Sequence, residues 1–96
     1  MSSVVHVELQ VKEGADDALV TSYRSTFRRA ISQQEGFETV RLLSPIDAPG
    51  WRLVIEFAEE EQRLRWVASE LHQQVWPRIE AHCCGYMPHL FSEVEG

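Results

Sequence analysis

Trp66, His72 and Trp76 crowd into one stretch, RWVASELHQQVW (residues 65–76), of an otherwise polar helical segment. Histidine is the one side chain whose unperturbed pKa lies near neutral pH, so His72 can act there as a general base. Two indoles beside it can wall a pocket, or they can simply fill a small core. On one regular helix, at ~100° per residue, Leu64, Val67, Ala68, Leu71 and Val75 form the core stripe. Trp66 then falls nearly opposite that stripe, with His72 and Trp76 on one flank. In that position Trp66 covers a subunit contact, lies over the surface, or enters a pocket after a helix bend.

Other reactive side chains offer less. His82, Cys83 and Cys84 are consecutive, point in different directions and have no evident fourth ligand for a zinc site. A vicinal disulfide is strained, so this cysteine pair describes a reduced, cytosolic protein rather than a stapled secreted one. Glu59-Glu60-Glu61 reads as a helix start with acids at its positive end, not as an acid–base dyad. No glycine-rich phosphate loop or G-x-S-x-G elbow occurs. His6 belongs to a mixed strand face, and His89 alternates with Phe91 on the last strand.

The chain has 96 residues, enough for one domain spanning 1–96. Fifteen acids against nine Lys and Arg give a net charge of −6, a surface that repels phosphate backbones and excludes nucleic acid as a partner. No apolar run approaches the ~18 residues of a membrane span. The start, MSSVVHVELQV, lacks a basic n-region and reads directly as a strand, not as a signal peptide.

Residues 4–11, VVHVELQV, alternate: Val5, Val7, Leu9 and Val11 share one face, Val4, His6, Glu8 and Gln10 the other. From 17 to 35 the period turns helical, with Leu19, Tyr23, Phe27, Ala30 and Ile31 as its stripe and Asp16 or Asp17 as cap. Gly36 sits where a helix C′ glycine belongs. FETVRLL (37–43) and WRLVIEFA (51–58) are strands joined by the loop SPIDAPG. A second helix runs from Glu59 to about residue 73, with Pro77 opening a further helix or kinking this one. Gly85 ends the helical region, and YMPHLFSEV (86–94) is the last strand, its Pro88 marking an edge or a bulge.

The order β-α-β-β-α-β predicts an α+β, ferredoxin-like fold: a four-stranded antiparallel sheet with helices on one face. The bare face would carry His6, Glu8 and Gln10 beside Arg52, Val54 and Glu56, bringing Glu8 within reach of Arg52. That face is either solvated or stacked on a second sheet.

The chain resembles the antibiotic biosynthesis monooxygenase family over roughly residues 3 to 94. The resemblance rests on an opening strand ending in Lys12-Glu13-Gly14, a helix ending in Glu35-Gly36-Phe37, the strand WRLVIEF, and Trp66-x-x-Ser69-x-x-His72. It implies a homodimer whose two sheets form an α/β barrel, and a pocket between helices and sheet in each subunit. The haem-degrading branch of the family is disfavoured: its first-strand asparagine falls on Val7 here and its histidine on Trp76.

The resemblance implies instead the oxidation of a small electron-rich aromatic, such as a phenol or hydroquinone, by O₂ with no metal, flavin or other cofactor. In that reading His72 is the base, with Trp66 and Tyr23 completing the catalytic set. A donor for the substrate anion is the Tyr23 hydroxyl, a bound water or an arginine. Phe27, Trp76, Val7, Phe57 and Phe91 would bind the guest. The alternative is a non-catalytic protein of the same fold that holds or senses a small ligand.

Overall fold

Alternation of branched apolar and polar side chains makes Ser3–Val11 a strand, β1, in the computed structural model, which describes residues 2–96. Phe37–Leu43 forms β2, Trp51–Phe57 forms β3 and Cys83–Ser92 forms β4. All pairings are antiparallel and the strand order is β2-β3-β1-β4. The sheet is open, and β4 is an edge strand, where Pro88 is tolerated.

Between β1 and β2 lie Asp16–Ser22 (α1), a π-helical turn over Tyr23–Phe27, and Arg28–Ile31 (α2). Between β3 and β4 lie Glu60–Ala68 (α3) and Glu70–Glu80 (α4). Directly opposed residues of an antiparallel pair share a face. Val5 faces Ile55 and Leu90, Val7 faces Leu53 and Pro88, and Leu9 faces Trp51 and Tyr86. This face carries the helices. The core beneath them includes Leu9, Leu19, Phe27, Ile31, Leu53, Phe57 and Ile79, all essentially solvent-free.

The other face holds the pair expected from the sequence: Arg52 Nη2 donates to Glu8 Oε1 at 2.7 Å. Arg52 Nη1 lies 3.3 Å from His6 Nδ1, and His89 Nε2 lies 3.6 Å from Glu8. Burial and then the nearby Arg52 and Arg41 push the His6 pKa down. Around this polar centre Leu43, Met87 and Phe91 stand exposed, placed on the same face by their opposition to Arg52, Glu8 and Val4.

Several expectations need correction. The first helix has Ala15 rather than an aspartate at its N-cap, and it carries a π turn. Four-residue spacing of Leu19, Tyr23, Phe27 and Ile31 would drift by about 40° per step on a regular helix. The wider turn absorbs the drift and keeps all four buried. The second helix does not run on to residue 73. It stops at Ala68 and restarts at Glu70, so Pro77 lies inside α4. Gly85 belongs to β4, next to a register shift at Gln10 and Val11, because the strand begins already at Cys83.

Gly36 does more than end a helix. Its φ is +82°, and a Cβ there would run into the Gln62 carboxamide. That carboxamide accepts the Glu59 N–H at 3.1 Å and so closes the capping box of α3. Gly36→Ala therefore has both a strained backbone and a displaced cap to accommodate. A loss of about 2 kcal/mol or more is expected in urea unfolding; a change below about 0.5 kcal/mol would contradict this role.

Candidate active site

The cavity owes its shape to Ser69. This residue is extended (φ −73°, ψ 152°) and serves at once as the C-cap of α3 and the N-cap of α4. Its Oγ donates to the Trp66 carbonyl at 2.7 Å and accepts the His72 N–H at 3.1 Å. The break resets the phase of the helical face. Trp66, which a continuous helix would turn away from the core, is 2% exposed, while Leu64 and Val67 of the expected stripe are exposed. Val75 on α4 remains a core residue and Leu71 is half-buried.

Between α3, α4, the π turn and the sheet lies a cavity of about 520 Å³, within the range of small-molecule sites. Phe27, Trp66, His72, Trp76 and Tyr86 form an aromatic cage around it. Trp66 meets His72 edge-on at 5.1 Å between centroids, and Phe27 edge-on at 6.0 Å. The His72 and Trp76 rings are nearly parallel, at 6.2 Å, and Trp76 meets Tyr86 at 5.1 Å. Val5, Val7 and Ile55 supply the floor from the sheet, and Pro88 and Leu90 the side formed by β4.

His72 is the polar centre of the cage. Its Nδ1 is buried and has no hydrogen-bond partner, the only such side-chain nitrogen or oxygen among the described residues. Buried polar atoms are rarely left in that state. Burial also lowers the His72 pKa, keeping the ring neutral where an ordinary histidine begins to charge.

Of the residues singled out in the sequence, the structure brings His72, Trp66, Phe27, Trp76 and Val7 to one cavity. Three others lie outside it. The Tyr23 hydroxyl donates to the Val40 carbonyl at 3.3 Å, and burial raises its pKa, so it holds β2 rather than facing the cage. Phe57 is fully buried against Phe37. Phe91 sits on the open face of the sheet, packed edge-on against His6 at 5.0 Å. Eight lining residues were not among the candidates: Val5, Ile55, Arg63, Val67, Gln73, Tyr86, Pro88 and Leu90. Alternation on β4 could have found Tyr86 and Leu90 had the register with Leu9 been known.

His82, Cys83 and Cys84 diverge as expected: His82 Nε2 is 3.0 Å from Ser22 Oγ, Cys83 is buried and Cys84 exposed. No helix among the described residues is long and apolar enough to cross a membrane.

The profile of a family described as antibiotic biosynthesis monooxygenase matches residues 2–77. No curated protein matches the sequence. Among solved structures, a conserved protein from Methanosarcina mazei Go1 superposes with a TM-score of 0.84 at 12% identity, over 98% of this chain and 94% of that one. SnoaB, a cofactor-independent oxygenase from Streptomyces nogalater, gives 0.83 at 14% identity, over 99% and 95%. A dimeric ferredoxin-like protein of unknown function from Jannaschia sp. CCS1 gives 0.81 at 14% identity, over 97% and 100%. At such identities these matches establish the shared fold.

The lowered His72 pKa fixes the sign of a pH effect. The folded chain binds fewer protons than the unfolded chain below about pH 6.5, so this contribution is complete above that pH and is lost as pH falls through the folded pKa. His72→Phe should therefore lose less Tm than the wild type between neutral pH and about pH 5. Equal losses in the two proteins would mean that His72 is not desolvated.

Proposed function

We propose a function from the premise that this chain belongs to the antibiotic biosynthesis monooxygenase family: it is a monooxygenase that oxidises a small electron-rich aromatic, a phenol or hydroquinone, with O₂ in the cage around His72. The observation that carries this reading is an imidazole with a buried, unpartnered Nδ1, set among aromatic walls in a cavity of about 520 Å³. The description of SnoaB as a cofactor-independent oxygenase supports it.

A neutral phenol passes an electron to O₂ slowly, whereas its anion does so readily. His72 removes the hydroxyl proton, and the cage holds the anion away from water. One oxygen atom of O₂ ends on a ring carbon and the other leaves as water; the substrate supplies all four electrons, so a phenol leaves as the quinone. Trp66, Trp76 and Phe27 orient the ring through edge and face contacts and keep bulk water from the intermediate. Tyr23 has no part in this scheme, because its hydroxyl is engaged by Val40.

The proposed assembly is a homodimer in which the open sheet faces stack, as suggested by Met87 and Phe91, 58% and 52% exposed around the Glu8–Arg52 pair. Stacked sheets pack about 10 Å apart through such side chains. The Jannaschia neighbour is described as dimeric.

A panel of hydroquinones followed by oxygen uptake tests the activity. Turnover of at least one member is expected, and His72→Ala should slow it by about 10²-fold or more while affinity changes only a few-fold. Tight binding without oxygen consumption would leave a ligand-holding protein instead. For the assembly, Phe91→Asp combined with Met87→Asp should yield monomers in sedimentation at micromolar concentration. A wild type that is itself monomeric there contradicts the stacked-sheet arrangement.

A further inference from the structure

Among the described residues Arg63 is the only permanently charged side chain lining the cavity, whose other walls are mostly apolar. Its side chain is 12% exposed, that of its partner Glu60 50%. The Arg63 Nε donates to Glu60 Oε1 at 2.7 Å, and Nη2 donates to the same oxygen. Ser3 Oγ donates to Glu60 Oε2 at 2.5 Å, so both carboxylate oxygens are held. These bonds, above all those from Arg63, depress the Glu60 pKa and keep the carboxylate ionised.

The pair is lopsided. The carboxylate is half in water, which screens it, whereas the guanidinium is largely withdrawn beside an apolar wall. Nη1 makes no hydrogen bond among the described residues. A fixed cation with an unused donor, facing an aromatic cage, suits a planar guest that bears an oxyanion.

We propose that Arg63 reads an oxyanion on the aromatic guest, either a ring carboxylate or the phenolate produced when His72 takes the hydroxyl proton. The inference rests on the cavity being the ligand site assigned above, but not on turnover. Anchoring by Glu60 and Ser3 makes Arg63 a specificity residue: it fixes where the charged edge of the guest lies relative to His72.

Binding of 2-naphthoate and 2-naphthol, measured by calorimetry in nitrogen-purged buffer, separates the two sources. If Arg63 holds a carboxylate, the wild type binds 2-naphthoate roughly tenfold or more tighter than Arg63→Gln, and Arg63→Lys recovers part of the difference. If it holds a phenolate, bound 2-naphthol ionises at lower pH than free 2-naphthol, as read from naphtholate absorbance, and the shift disappears in Arg63→Gln. Glu60→Gln guards against a folding defect: it retains the guanidinium and an acceptor for it, and should bind 2-naphthoate within a few-fold of the wild type.

The proposal is overturned if Arg63→Gln matches the wild type with both ligands, or if the wild type binds neither. Oxygen uptake measured separately keeps the two readings apart. Turnover of a hydroquinone without any Arg63 effect on binding would remove this inference and leave the monooxygenase standing. An Arg63-dependent anion preference without turnover would do the reverse.

Discussion

Ser69 holds an extended backbone between two helices, its hydroxyl bonded forward to the His72 N–H and backward to the Trp66 carbonyl. The arrangement of the cage follows from that one residue. If the helix ran on, Trp66 would point away from the sheet. With the break, the indole turns inward and the imidazole arrives beside it from a second axis. An N-cap serine contributes about 1 kcal/mol, a modest stabilisation, yet here the same bonds set the direction of two functional side chains.

The π turn on the first helical segment makes a matching adjustment from the other side. It keeps Tyr23 and Phe27 on one buried face, so that Phe27 reaches both Trp66 and Trp76 while Tyr23 ties the helix to β2. Irregular turns of this kind are common at functional sites. Both helical layers thus depart from regularity at the points where they meet the cavity. The sheet, by contrast, is regular beneath it. Val5, Val7 and Ile55 form a smooth apolar floor that positions a flat guest but offers it no hydrogen bond.

The sequence made the sheet legible because strand alternation leaves little ambiguity: VVHVELQV and WRLVIEF each have one mostly apolar face, although Val54 is buried on the other, and their pairing brought Glu8 to Arg52. It exposed the helices less well. A polar residue inside a helical pattern can be a solvated surface position or a cap, and only the structure shows Ser69 as a cap, with Glu70 after it as a first-turn acid. On one regular helix across that serine Trp66 falls opposite the core stripe; of the three positions left open for it, entry to a pocket after a helix bend is the one the structure shows. On β4 the difficulty was register: His89 and Phe91 form one alternating set, Tyr86, Pro88 and Leu90 the other, and only pairing with β1 shows which set faces the helices. Tyr23 failed as a site residue for a different reason. Its helical phase was right, but the hydroxyl found a backbone carbonyl before it could reach the cavity.

The central claim is that Trp66 and His72 converge on a ligand, with the imidazole neutral when it does so. NMR of the isotope-labelled protein with a naphthohydroquinone bound, under nitrogen, addresses this most directly. Intermolecular contacts are expected from the ligand to both the Trp66 indole and the His72 ring, together with a His72 ring that stays neutral below the pH at which an ordinary histidine charges. A ligand that touches neither ring, or a His72 that titrates as a free histidine does, would contradict it.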